Sequence, residues 1–175
     1  MQRYGKIVIF VESGLGLRLK SKEMLLETDI NRFVEAHEAP YYGSYGHALR
    51  EIQAGRKQTH WIWYIFPQLR ALGRSTTAIY YGIADLDEAQ RLLQHPLLGE
   101  RLREISAALL EHSGKTARQI LGDIDSLKVR SCMTLFDYLE PEGVFCKVLE
   151  AFYGGERDVL TLNEIEKYKH KTDEL

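Results

Sequence analysis

The stretch PLLGERLREISAALL, residues 96–110, carries the clearest helical pattern in the chain. Pro96 suits the first turn of a helix, because the amide hydrogen that proline lacks would have no helical partner there. Apolar residues then recur at helical spacing and predict one buried face. That face consists of Leu98, Leu102, Ile105 and Leu109. The segment therefore predicts a long helix packed against a helical core.

Further helices are predicted on both sides of this stretch, joined by short loops. Asp29, Ser75 and Asp85 are each placed to cap the start of a helix. A periodic apolar pattern predicts the remaining helices. These helices fall within residues 30–39, 42–54, 76–81, 86–94, 116–121, 126–139, 142–153 and 161–169. The expected fold is all-α, a compact multi-helix single domain.

Residues 1–28 differ in character and are predicted to form an N-terminal extension to a helical domain at residues 29–170. The run at residues 6–11 is rich in β-branched side chains, which predicts a short β-strand. Two glycines follow it, as in a dinucleotide-binding loop, but Leu19 stands where that motif has its third glycine. An appended segment is therefore favoured over a dinucleotide site.

Composition indicates one folded, soluble domain. The chain has 175 residues, of which 45% are hydrophobic and 27% charged, enough apolar surface for a core. A net charge of −2 offers no general attraction for phosphates, so nucleic acid binding is not favoured. Cys132 and Cys146 resemble buried thiols rather than a disulfide pair, and no apolar run is long enough for a membrane span. We expect a cytoplasmic protein without a membrane partner.

The aromatic segment HWIWYIF, residues 60–66, raises the question of function. Pro67 must end or kink any helix that covers it. Ile62, Ile65 and Phe66 are interpreted as core. Polar groups beside a buried aromatic cluster need partners or water, which favours a cleft edged by aromatic and donor groups. The polar residues that crowd this segment are Lys57, His60, Gln68, Arg70 and Arg74.

Three ordered motifs resemble one known family. They are KQTHWIWYIFPQ at residues 57–68, GRSTTAIYYGI at residues 73–83 and LKVRSCMTLF at residues 127–136. Together they resemble the bacterial domain of unknown function 1810 family, over roughly residues 29–162. The resemblance implies a compact, mainly α-helical domain and no established reaction. Some members carry the label calpastatin, which these residues do not support as a physical description.

Three residues are candidates for catalysis. His60 is a candidate because histidine is the usual side chain for proton transfer at neutral pH and an adjacent tryptophan could shield it, although a structural histidine is the alternative. Lys128 and Ser131 lie three apart on one face of a predicted helix. The known serine–lysine signature runs in the opposite order, so surface positions on that helix are the alternative.

The function predicted from sequence is a small-molecule site for a planar anionic ligand such as a nucleotide, and whether it is catalytic stays open. Aromatic rings can stack on such a ligand while lysine and arginine hold its charge. A protein or peptide interaction module using the same aromatic surface is the alternative. No cofactor or metal ligand set is predicted. The candidate ligand-binding residues are Lys57, Trp61, Trp63, Gln68, Arg74, Ser75 and Tyr81.

Overall fold

The computed structural model describes residues 29–40 and 43–173, with side chains as far as residue 170. Within these ranges the chain forms ten α-helices and no β-strand, which confirms the predicted all-α fold. The β-strand predicted at residues 6–11 lies outside the described residues. The helices are α1 (Asn31–Glu38), α2 (Tyr45–Gln53), α3 (Ile62–Ile65), α4 (Thr76–Tyr80), α5 (Leu86–Gln94), α6 (Leu98–Leu110), α7 (Ala117–Leu121), α8 (Asp123–Leu139), α9 (Val144–Tyr153) and α10 (Val159–Asp173).

Two helix starts follow the capping pattern read from sequence. The Ser75 hydroxyl accepts a backbone N–H of α4 at 3.1 Å, and the Asp85 carboxylate accepts the Glu88 N–H of α5 at 2.7 Å. The Glu88 side chain does not return to the cap, as it would in a full capping box. It accepts the Ala84 N–H instead and pairs with Arg32 at 2.6 Å, which ties α1 to α5.

Helix α6 presents the predicted apolar face to the core. The four residues of that face are all buried, and α6 packs against α2, α5 and α9. Because this one helix contacts elements from both halves of the described chain, its apolar stripe organises much of the core.

Helix α8 lies at the centre of the fold, packing against α3, α5, α7, α9 and α10. It begins at Asp123, three residues before the start predicted at Ser126, and its buried side includes Val129, Cys132 and Phe136. At 17 residues it is the longest described helix. No helix in the described part of the chain is long and apolar enough to cross a membrane.

Candidate functional site

Helix α2 ends at a left-handed glycine, after which the chain enters a loop that carries three predicted site residues, Lys57, His60 and Trp61. Gly55 has a φ of +68°, which glycine adopts without the steric conflict of a β-carbon. Its N–H donates to the Ile52 carbonyl at 2.8 Å, and the Arg56 N–H donates to the Glu51 carbonyl at 3.0 Å. These two bonds form a Schellman motif, which confirms the helix stop predicted at Gly55.

The loop at residues 56–61 runs from α2 to α3 across the end of α7. The Lys57 N–H donates to the Ile120 carbonyl of α7 at 2.7 Å, which fixes the start of the loop. The loop then places His60 at the surface, and α3 follows as a single turn before Pro67. The interruption predicted at this proline is confirmed.

A cleft of about 410 Å³ opens between this loop, α3, the end of α7 and the first turns of α8. Its volume lies within the range of about 300–1,000 Å³ that is usual for small-molecule sites. Four of the residues predicted for the site come together here although they are separated by up to 71 positions in sequence (57 to 128). The lining residues are Lys57, His60, Ile62, Trp63, Leu121, Gly122, Asp123, Ile124, Asp125 and Lys128.

Two ammonium groups converge on one carboxylate inside the cleft. Lys57 Nζ lies 2.8 Å from Asp125 Oδ2, and Lys128 Nζ lies 2.8 Å from Asp125 Oδ1. Burial alone would raise the pKa of the Asp125 carboxyl, but the hydrogen bonds and charges of the two lysines outweigh it and lower that pKa. Asp125 is therefore ionised at neutral pH, and the three groups together carry one net positive charge.

The two tryptophans have different places relative to the cleft. Trp61 has no exposed surface, and its indole N–H donates to the buried Glu51 carboxylate at 2.8 Å. Trp63 is half-buried, lines the cleft, and has the Lys128 ammonium 5.0 Å from its ring centre. Only Trp63 can contact a ligand directly, while Trp61 lies beneath the site.

Several predicted site residues lie away from the cleft. Ser131 is buried on α8, and Ser75 serves as the cap of α4. Arg74 is exposed, and Tyr81 packs between Phe33 and Tyr64. The Gln68 backbone carbonyl accepts the Ile83 N–H at 2.9 Å, beside a short bridge that joins this region to the chain after α4. None of these five residues lines the cleft with His60 and Lys128.

Sequence reasoning missed Asp125, which joins the two lysines. The signal was present, because acidic residues favour the first turn of a helix and Asp125 stands three residues before Lys128. The predicted helix began one residue too late to include it. In the described residues, no three His, Cys, Asp or Glu side chains are grouped so that they could hold a metal ion.

Comparisons with known proteins agree with the fold and assign no activity. The chain is similar to a solved structure of the conserved hypothetical protein Rv1873 from Mycobacterium tuberculosis, with 42% identity and a TM-score of 0.75. The match covers 79% of this chain and 97% of that one. Among curated proteins, nothing matches significantly. The family model described as "Protein of unknown function (DUF1810)" matches residues 27–165, so the chain belongs to the DUF1810 family.

Proposed function

We propose that the cleft binds a planar, anionic small molecule of the nucleotide class. One observation carries the proposal: Lys57 and Lys128 converge on Asp125 in an open cleft that Trp63 also lines. A surplus of positive charge beside an aromatic ring suits a ligand that has an anionic group and a flat ring. The proposed site retains Lys57, His60, Trp63 and Lys128 from the sequence prediction and adds Asp125.

The ammonium groups retain hydrogen-bonding capacity after their protein contacts are counted. Each lysine ammonium has three donors. Lys57 uses two of them, for the Thr59 carbonyl and for Asp125, and Lys128 uses one, for Asp125. The Asp123 carboxylate at the same cleft pairs with Arg118 at 2.6 Å, so its charge is already compensated. An incoming phosphate or carboxylate can therefore bind the remaining donors without displacing Asp125.

Lys128 is the more accessible cation of the pair. Its side chain is 21% exposed, compared with 8% for Lys57. Since the Lys128 ammonium also lies 5.0 Å from the Trp63 ring centre, one ligand can reach the charge and the ring together. This supports Lys128 as the main contact for the anionic group and Trp63 as the stacking surface.

His60 is the residue we propose for proton transfer if the cleft acts on its ligand. Its side chain is exposed and lines the same cleft as the two lysines. A histidine can donate or accept a proton near neutral pH, so this position suits acid–base chemistry on a bound molecule. Ser131 is not retained in this role, because it is buried on α8 away from the cleft lining.

A nucleotide titration tests the proposal. Nucleoside mono-, di- and triphosphates would be added to the protein while binding heat and tryptophan fluorescence are recorded. We expect saturable binding by at least one of them, with a fluorescence change that Trp63→Phe removes. Lys128→Met should weaken binding about tenfold or more, because one charge-assisted hydrogen bond is lost. Lys147→Met, at an exposed position on α9, is the matched control. No saturable binding at millimolar concentration would refute the proposal.

The second candidate function is a protein or peptide interaction module, favoured by two exposed apolar residues, of which Ile124 lines the cleft and Leu127 lies beside it. Ile124 is 71% exposed and Leu127 is 63% exposed, both in the first turns of α8. The volume of the cleft, which matches that of small-molecule sites, supports a small ligand over this alternative. Leu127→Ser separates the two functions, since Leu127 does not line the cleft and its loss should leave nucleotide affinity unchanged. A drop in that affinity would count against the small-molecule site as described.

A further inference from the structure

The buried carboxylate of Glu51, on α2, accepts hydrogen bonds from the loop that leads to the cleft. Its Oε2 atom accepts the N–H groups of Gln58 at 2.7 Å and Thr59 at 3.1 Å, and the indole N–H of Trp61 at 2.8 Å. Its Oε1 atom accepts the Thr59 hydroxyl at 2.7 Å. Glu51 itself does not line the cleft. The Glu51 side chain therefore holds the backbone just before His60 and the Trp61 ring just after it.

The same bonds fix the surroundings of the Lys57 ammonium. Lys57 Nζ donates to the Thr59 carbonyl at 2.5 Å and lies 5.0 Å from the centre of the Trp61 ring. Thr59 and Trp61 are two of the residues that Glu51 holds. A continuous set of contacts thus runs from Glu51 through Thr59 and Trp61 to Lys57, and from Lys57 to Asp125 in the cleft.

Resting on the function proposed above, we infer that Glu51 is a positioning residue of the cleft, which sets where the Lys57 ammonium meets Asp125. The loop has no regular secondary structure of its own between α2 and α3. Without the Glu51 bonds, the Thr59 carbonyl and the Trp61 ring are no longer held in place. The Lys57 ammonium then loses both contacts that hold it from outside the cleft, and its bond to Asp125 weakens.

The electrostatics of Glu51 agree with a permanently charged acceptor. Burial alone would raise the pKa of Glu51, but the hydrogen bonds from Gln58, Thr59 and Trp61 outweigh it and lower that pKa to about 2. His47 Nε2 also lies 3.0 Å from Oε1. Glu51 is therefore ionised throughout the neutral range, and its contacts with the loop do not depend on pH there.

The titration of Asp125 provides a test that needs no ligand. Its pKa would be measured by NMR in the wild-type protein and in Glu51→Ala, Glu51→Gln and Lys57→Met. We expect Glu51→Ala to shift the Asp125 pKa upward, toward its value in Lys57→Met, because the paired ammonium is no longer held. Glu51→Gln should stay near wild type, since its carbonyl oxygen can accept the three bonds of Oε2 while its amide donates to the Thr59 hydroxyl.

The outcomes separate positioning from simple stabilisation. A merely structural Glu51 would lower the free energy of unfolding in Glu51→Ala and leave the Asp125 pKa at the wild-type value, which would overturn the inference. If Glu51→Ala does not fold, Glu51→Asp replaces it, because the shorter side chain withdraws the carboxylate from the loop but keeps its charge. The same upward shift is expected there, and no shift in that variant would likewise overturn the inference.

Nucleotide titration of the wild-type protein distinguishes failure of this inference from failure of the proposed function. Nucleotide binding without an Asp125 shift in the Glu51 variants would overturn the positioning role alone. An Asp125 shift in a protein that binds no nucleotide would support the positioning role and refute the ligand class.

Discussion

Lys57 and Lys128 both pair with the Asp125 carboxylate but differ in how far their side chains are exposed to solvent. The Lys57 side chain is mostly covered by the Thr59 carbonyl, the Trp61 ring and Asp125, whereas Lys128 lies at the cleft surface beside Trp63. Removing a covered cation leaves its partner charge uncompensated, whereas an accessible cation is available to a ligand. Replacing Lys57 should therefore mainly lower the stability of the protein, whereas replacing Lys128 should mainly lower its affinity for a ligand.

Methionine replacements of these lysines test that difference. Lys57→Met should lower the free energy of unfolding by about 1–3 kcal/mol, because the partly buried Asp125 carboxylate loses one of its two charged partners. Lys128→Met should lower it by less than about 1 kcal/mol, since the pair it breaks is partly solvated, and should mainly reduce nucleotide affinity. Urea denaturation of both variants measures the effect. Equal losses of stability would contradict the assigned roles.

His37 should make the protein sensitive to acid. Burial lowers the pKa of His37 from 6.5 to about 4, although the hydrogen bond with the Tyr64 carbonyl at 2.9 Å opposes that shift. Because the unfolded chain takes up the proton first, stability is complete above pH 6.5 and declines as pH falls toward 4. The linkage relation gives a loss of up to about 3 kcal/mol over this interval. Denaturation at several pH values measures it, and a His37→Gln variant with an unchanged pH slope would argue against this origin.

At the scale of elements, polar caps predicted two helix starts, and the absence of one misplaced a third. Ser75 and Asp85 are polar caps, and the helices that they begin were predicted from them. Helix α8 begins at Asp123 with Gly122 as its N-cap, and because glycine has no side chain to cap with, the prediction placed the start at Ser126. The Ser126 hydroxyl in fact donates to the Asp123 carbonyl at 2.8 Å inside the helix. The misplaced start also explains why Asp125 was missed.

Gly122, which lines the cleft, is expected to tolerate substitution less well than Gly154 at the end of α9. Its φ of +83° and ψ of 171° belong to a region that only glycine adopts easily, whereas Gly154, with φ 62° and ψ 26°, is in the ordinary left-handed region. A β-carbon at either position would meet no atom within 4 Å, so the comparison isolates backbone strain. Gly122→Ala should cost about 2–3 kcal/mol and Gly154→Ala about 1 kcal/mol. Equal costs in chemical denaturation would contradict this account.

At the scale of the whole molecule, the fold brings the loop after α2 to the first turns of α8. Periodic apolar residues were sufficient to predict the helices on both sides of this contact, and the aromatic segment indicated Lys57, His60 and Trp63. The burial of Trp61 was not predictable, because it depends on the Glu51 carboxylate ten positions earlier and no local pattern joins the two. Contacts between distant segments of this kind are set by packing rather than by sequence periodicity.

The buried Arg32–Glu88 pair should support the fold without affecting the cleft. It joins α1 to α5 at 2.6 Å, both side chains are buried, and neither lines the cleft. Glu88→Gln should lower the free energy of unfolding by about 3 kcal/mol, because Arg32 keeps its charge but loses its charged partner. Nucleotide affinity of the folded variant should stay at the wild-type value. A stable Glu88→Gln variant with reduced affinity would show that the two regions are coupled.

Calorimetric titration of nucleotides into the wild-type, Lys128→Met and Lys147→Met proteins tests the proposed site most directly. The account predicts saturable binding by the wild-type protein, the same affinity for Lys147→Met, and an affinity about tenfold or more lower for Lys128→Met. Equal binding by all three proteins, or no binding by the wild-type protein at millimolar nucleotide, would contradict it.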